Sequence, residues 1–154
     1  MKGDLLGKMI HIAVNAHAGQ FDRSGRPYIL HLLKVMDLLD SDDEELLCIA
    51  VGHDLFEDSN VTGASLRDHG ITERIIEGIG RLTKRPGQSY EEYRAEVFGS
   101  RDAMLVKSAD LTHNTDLTRL KDINHRDLER NDRYKMFYFE IQNRLDGWAD
   151  IDMP

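Results

Sequence analysis

The segment HDLFED, residues 53–58, brings together the side chains most able to do chemistry. It follows an apolar run, residues 46–51, so His53 and Asp54 are expected at the end of a buried stretch. Burying an unpaired carboxylate is costly, and a metal ion or a hydrogen-bond network would offset that cost. Histidine offers a borderline nitrogen ligand and aspartate a hard oxygen. The combination suits manganese, iron, zinc or magnesium without choosing among them. If a helix persists through the motif, His53 shares a face with Glu57, as Asp54 does with Asp58, and these polar groups line one wall. A His-Asp pair alone is weak evidence, since a surface helix end with an acidic cap reads the same way. Two further segments shift the balance. In PYILHLLKV, His31 falls early in an otherwise apolar helix, and in MLVKSADLTHN, Asp110 lies inside a largely apolar one. Asp110 and Asn114 are four residues apart and share a face, and an Asp in such a place without a partner would be destabilising. That these distant segments converge is an expectation about the fold.

Helical spacing recurs through the chain and strand alternation is almost absent, so the elements that position these residues are predicted to be helices. The first is predicted over residues 4–18, with Leu5, Met9, Ile12, Ala13 and Ala16 on one face. A turn-rich loop, GQFDRSGRPY, follows. Pro27 can open a second helix over 28–39, where its missing N–H is not needed. Ser41 is the expected N-cap of the third helix, and Asp42, Asp43, Glu44 and Glu45 crowd its first turn, where the macrodipole favours anions. That acidic run therefore reads as a helix start, not a metal site. The third helix is mostly buried and runs directly into His53 and Asp54. Further helices are predicted over 64–68, 72–82, 89–98, 101–115 and 127–148. The stripe Tyr134, Phe137, Tyr138, Ile141 and Leu145 on the last reads as core.

Composition bounds the function. The chain has 154 residues, 40% hydrophobic and 31% charged, which suits one globular domain, here residues 1–154. The net charge of −8 gives little attraction for nucleic acid. Cys48 is the only cysteine, so no internal disulfide can form, and it reads as a small core hydrophobe. No stretch approaches the ~18 apolar residues of a membrane span, and the first residues are too polar for a secretory signal. A cytoplasmic protein with a small-molecule substrate, neither nucleic-acid- nor membrane-bound, is expected. A homo-oligomer is left open.

The segments AHAGQFDRSGRPYILH, HDLFEDSNVT and VKSADLTHN, in that order, resemble the hydrolase half of the RelA/SpoT alarmone enzymes and the small stand-alone alarmone hydrolases. The resemblance spans residues 10–118, and GITERIIEGIGRLTKRPGQSYEEY is similar to the family's connecting helices. It implies an all-α HD-domain helical bundle with one divalent metal ion, expected to be Mn2+. By motif position the ligands would be His31, His53, Asp54 and Asp110. Glu57 and Asp58 match the catalytic acidic pair. Asn114 matches an asparagine near the nucleotide's sugar and phosphates, and Arg23 a basic residue beside the active site. The implied activity is removal of pyrophosphate from the 3′ position of a (p)ppGpp alarmone. One position departs: where the family has two adjacent basic residues, this chain has Asp22 and Arg23. Asp22 cannot make a cation–π contact with a base and is expected to repel phosphates, which points away from strict guanosine-alarmone specificity. No synthetase domain or regulatory tail is expected in this length.

Neighbouring functions stay open at this point: an HD phosphohydrolase of nucleoside mono- or triphosphates or of a phosphorylated dinucleotide, a nucleotide sensor without turnover, or a structural interaction protein. The intact Glu57–Asp58 pair argues against a sensor. His17 and His113 lie inside the motifs and read as packed or supporting residues, while His11, His69 and His125 read as structural or solvated. Lys84 and Lys107 read as solvated, and Thr62 as a helix cap.

Overall fold

The computed structural model describes residues 2–152, with side chains described as far as Trp148. The architecture is all-α, as the periodicity predicts. The elements are α1 (Asp4–Ala16), α2 (Ile29–Leu38), α3 (Glu44–Gly52), α4 (Leu55–Asp58), α5 (Gly63–Asp68), α6 (Glu73–Arg81), α7 (Tyr90–Phe98), α8 (Arg101–Asn114) and α9 (His125–Asp152), with a 3-10 turn at Leu117–Arg119. Among the described residues the only extended pairing is an isolated bridge between Phe21 and Pro27, which closes the loop between α1 and α2.

The apolar run before the HDLFED motif forms α3, the central helix. Its Leu46, Cys48, Ile49, Ala50 and Val51 are buried, and it packs against α1, α2 and α6, while α8 packs against α2 and α9. Small residues set how closely the helices approach. A Cβ on Gly78 of α6 would lie 2.6 Å from Ile49 Cδ1, and one on Gly52 would lie 2.6 Å from Met9 Cε. Phe137 and Ile141 of α9 are fully buried, with Tyr134, Tyr138 and Leu145 packed beside them, so the aromatic stripe is core as expected. Cys48 is buried too, and burial pushes its thiol up to about 12, as befits a core hydrophobe.

The helix ends follow their capping chemistry, with one correction. Asp43, not Ser41, caps α3: its carboxylate accepts from Leu46 N at 3.3 Å, while Ser41 Oγ accepts from Asp43 N at 3.1 Å. A charged acceptor at this position is also favoured by the helix dipole. Thr62 forms a reciprocal capping box with Ser65, and Ser89 and Ser100 cap α7 and α8. The continuous helix expected through residues 53–58 is broken. Helix α3 stops at Gly52, and Asp54 adopts φ −101° and ψ 3° before α4 begins. The break lets Leu55 enter the core, where it is fully buried. It also redirects the polar residues on either side of it.

Candidate metal centre and nucleotide cavity

Three helices deliver the polar residues to one place. His31 sits in the first turn of α2, His53 and Asp54 follow α3, and Asp110 lies in the second half of α8. His31, His53 and Asp110 are 2%, 3% and 5% exposed, respectively, in the middle of an otherwise apolar packing. Asp110 Oδ1 lies 2.9 Å from His31 Nε2 and 3.4 Å from His53 Nε2. Asp54 Oδ2 lies 3.2 Å from His53 Nε2. His31, His53 and Asp54 each offer a ligand atom within 4.8 Å of the others. The expected convergence of distant segments is therefore observed.

The protonation of His53 shows what this arrangement suits. Its Nδ1 donates to the Ala50 carbonyl at 2.7 Å. That assignment leaves Nε2 as the lone-pair nitrogen, and Nε2 is buried without a hydrogen-bond partner. It faces the oxygens of Asp54 and Asp110. A lone pair facing carboxylates inside a protein is stabilised only by a positive species between them, either a proton or a metal ion. Burial works against a charged His53, but Asp54 and then Asp110 outweigh it and lift the imidazole to about 9. This donor set fits a divalent cation with mixed nitrogen and oxygen ligands.

The residues around this cluster hold its members in place. Asp110 Oδ2 accepts from Lys107 Nζ at 2.9 Å, and its Oδ1 also accepts from Asn114 Nδ2 at 3.0 Å. Burial would raise the Asp110 pKa, but Lys107 and the two histidines hold it well below the usual carboxylate range. Lys107 is correspondingly held well above its ordinary range by Asp110 and Tyr93, against the effect of its own burial. Its ammonium also lies 5.4 Å from the Tyr93 ring centroid. Lys107, 15% exposed on its side chain, is thus a largely covered counter-ion of Asp110 and not the solvated lysine expected from the sequence. His113 stacks on His31, with ring centroids 4.9 Å apart and the two Nδ1 atoms 2.7 Å apart. Burial and the nearby charges of Arg119, His31 and Lys34 depress His113 to about 4, so it is neutral at pH 7 and can accept from His31 Nδ1–H. Tyr28 donates its hydroxyl to Asp54. Sequence reasoning passed over Tyr28, though it sits in the PYILH motif, and left His113 as a packed or supporting residue.

The acidic pair stands beside the cluster. Asp54, Glu57 and Asp58 also bring carboxylate oxygens within 4.8 Å of one another, so Asp54 belongs to both groups. The helix break explains the difference from the expected single wall: His53 faces His31 and Asp110, while Glu57 and Asp58 gather around Asp54. Glu57 Oε1 accepts from Lys84 N at 2.6 Å. Burial and the neighbouring Asp54 and Asp58 charges raise Glu57, and burial and Asp54 raise Asp58. His17, 2% exposed, engages Gln20 through Nδ1 at 2.8 Å, and Gln20 in turn donates to the Asp58 carbonyl at 2.8 Å.

A cavity of about 290 Å³ opens from His31 and Tyr28 and is walled by Phe21, Arg23, Asn114 and Arg119, among others. Arg23 and Asn114, both singled out in the sequence, therefore face the same space. Arg23 is half-exposed and pairs with the buried Asp127 at the start of α9, which Arg130 also grips. Asp22 does not present the bare charge expected of it. Its carboxylate accepts from Ser24 and Arg26 and pairs with Arg119 Nη2 at 2.9 Å. Arg119 gave no signal in the sequence, because its partner lies almost a hundred residues away.

No protein-family model matches the chain. Individual relatives do. A guanosine-3′,5′-bis(diphosphate) 3′-pyrophosphohydrolase of Haemophilus influenzae is 34% identical over 115 residues, covering 67% of this chain and 17% of that protein. The bifunctional (p)ppGpp synthase/hydrolase SpoT of Escherichia coli is 33% identical over 116 residues, covering 67% of this chain and 16% of that one. A GTP pyrophosphokinase of Myxococcus xanthus is 29% identical over 170 aligned positions, covering 97% of this chain and 22% of that one. The chain is a RelA/SpoT-type HD protein. It spans about a fifth or less of the length of several curated RelA/SpoT relatives it matches, 17% and 16% of the first and second named here. The solved structure of a metazoan orthologue of SpoT that hydrolyses ppGpp superposes with a TM-score of 0.74 at 21% identity, covering 94% of this chain and 86% of that one. The RelA/SpoT-type fold thus extends over nearly the whole chain. No helix among the described residues is long and apolar enough to cross a membrane.

Proposed function

We propose that this chain is a metal-dependent phosphohydrolase that removes pyrophosphate from the 3′ position of a guanosine alarmone of the ppGpp type. The observation that carries the reading is the buried, unpartnered Nε2 of His53, facing carboxylate oxygens of Asp54 and Asp110. In this reading His31, His53, Asp54 and Asp110 hold one divalent cation, with Mn2+ the expected ion. The relatives, ppGpp 3′-pyrophosphohydrolases by name, supply the substrate class, and the cavity beside His31 supplies room for a nucleotide. The protein acts as one HD unit in the cytoplasm, on a small nucleotide and not on nucleic acid.

When bound, the cation polarises the phosphoryl group and lowers the pKa of water toward neutrality. The protein's part is positioning and proton transfer. Glu57 and Asp58 stand beside Asp54 with raised pKa values, which brings either closer to the operating pH of a general base. One of the two takes the proton of the attacking water. The water oxygen bonds to the phosphorus attached to the ribose 3′ oxygen, that P–O bond breaks, and pyrophosphate leaves while the 3′ oxygen gains a proton. Arg23 meets substrate phosphates by exchanging its contact with Asp127 for charge-assisted hydrogen bonds. Asn114, whose amide N–H is committed to Asp110, turns its remaining polar atoms to the nucleotide.

The test is a nucleotide panel on Mn2+-reconstituted protein, read by product identity. Release of pyrophosphate from ppGpp, lost on chelation, is the expected outcome. Full activity in a chelated, metal-free sample would remove the mechanism. Turnover of simple nucleoside phosphates with none of ppGpp would move the substrate assignment to another nucleotide.

A further inference from the structure

Adjacent residues of the α1–α2 loop make opposite kinds of bond across the cavity. Arg23 is 51% exposed on its side chain and reaches Asp127 at the start of α9. Asp22 is only 10% exposed on its side chain, and its partner Arg119 only 18%. Every polar atom of the Asp22 carboxylate is committed. Oδ1 accepts from Ser24 N at 2.9 Å, Ser24 Oγ at 2.6 Å and Arg26 N at 3.0 Å, and Oδ2 pairs with Arg119 Nη2 at 2.9 Å. The backbone folds the same way, with Asp22 N donating to Arg26 O at 2.8 Å and Gly25 N to Asp22 O at 3.0 Å. Gly25 holds φ 82°, a left-handed conformation that this tight turn requires. Arg119 is itself anchored, donating through Nη1 to the His113 carbonyl at 2.9 Å. The His113 ring stacks on His31. A continuous set of contacts therefore runs from the loop, through a part-buried ion pair, to the end of α8 and the imidazole of His31.

We propose that Asp22 and Arg119 form a positioning strut: a permanent, part-buried ion pair that fixes the shape of the 19–27 loop, so that Arg23 is held over the cavity and free to exchange Asp127 for a substrate phosphate. The exposures divide the roles. Arg23 is half-exposed and can turn to a ligand at little cost as long as the buried Asp127 keeps another partner. The less exposed Asp22–Arg119 pair, with its additional hydrogen bonds, opens only by leaving two largely covered charges short of partners. Arg130 remains on Asp127 when Arg23 leaves, so the buried acid keeps a partner. Asp22 also lines the cavity, but in this role it acts through Arg23. The proposal rests on the hydrolase reading above for its kinetic consequence, and on the geometry alone for its structural one.

Two measurements test it on the intact chain. In steady-state hydrolysis, Asp22→Asn and Arg119→Gln are each expected to raise KM about tenfold with kcat within about twofold, and the double variant to match either single one, because removing a strut twice costs nothing more. A direct repulsion between Asp22 and substrate phosphates predicts the opposite sign for Asp22→Asn, a lower KM, and that result overturns the proposal. Additive effects of the two substitutions overturn it as well. In hydrogen exchange, the Ser24 and Arg26 amides are expected to lose protection in Arg119→Gln and to keep part of it in Arg119→Lys. Unchanged protection in Arg119→Gln overturns the strut whether or not any nucleotide is hydrolysed. A chain that turns over no nucleotide, yet loses this protection, would sink the hydrolase reading and leave the strut standing.

Discussion

His53 uses both of its ring nitrogens, and their division explains why so many of its neighbours are polar. Nδ1 is tied to the helix it terminates, and Nε2 is turned toward two acids. The same logic accounts for Lys107, whose ammonium occupies Asp110 Oδ2 and leaves Oδ1 to the histidines and Asn114. Removing the ammonium leaves a buried carboxylate short of a partner. Lys107→Met is therefore expected to destabilise the metal-free protein by on the order of 3 kcal/mol, measured by denaturant unfolding, and to lose part of that deficit when Mn2+ is added. Equal deficits with and without Mn2+ would show that Lys107 does not share Asp110 with an ion. Asp54→Ala tests the other acid. At a hundredfold excess over Kd, a bound ion stabilises the folded state by about 2.7 kcal/mol. The wild-type protein should show that rise in thermal unfolding and Asp54→Ala should show none, with hydrolysis abolished in parallel. The rare polar residues inside apolar runs, His31, His53 and Asp110, were legible in the sequence because burial makes them costly without partners. Lys107 and Arg119 were not, because what makes each of them special is a partner brought close only by folding.

At the scale of elements, the helices are held in register by caps and by ion pairs across them. Arg74 on α6 bridges Asp43, the cap of α3, at 2.7 Å and Asp102, in the first turn of α8, at 2.8 Å. The Arg74 hydrogen bonds are the largest influence on Asp43 and, with its backbone bonds, hold it below its ordinary 3.8. A carboxylate with a depressed folded-state pKa stabilises the protein above its unfolded value and loses that contribution as pH falls through the folded value. The wild-type melting temperature should therefore drop below about pH 4 in part because this cross-link is lost. Arg74→Ala should be less stable at pH 7 and fall less steeply in acid. Both partners are about two-fifths exposed, so solvent screening keeps the difference within about 1 kcal/mol. Parallel acid profiles would contradict the assignment. Most helix positions were readable from periodicity and caps. The shift of the α3 cap from Ser41 to Asp43 and the break at His53–Asp54 were not. Each depends on tertiary demands, Arg74 in one case and burial of Leu55 in the other.

For the molecule as a whole, a largely apolar bundle surrounds one polar centre, and the chain's acidity is partly local. Asp54, Glu57, Asp58 and Asp110 concentrate negative charge at the converging ends of α2, α3 and α8. Asp22 and Asp127 are already matched by arginines on the cavity wall. That distribution suits an anionic substrate only if a cation sits among the acids, so the account turns on one ion. The most direct measurement is anomalous diffraction at the manganese edge from crystals grown with Mn2+. The account predicts one peak per chain, within bonding distance of His31 Nε2, His53 Nε2, Asp54 and Asp110. A peak placed elsewhere, or full Mn2+ loading with His53 Nε2 outside the coordination sphere, would contradict it.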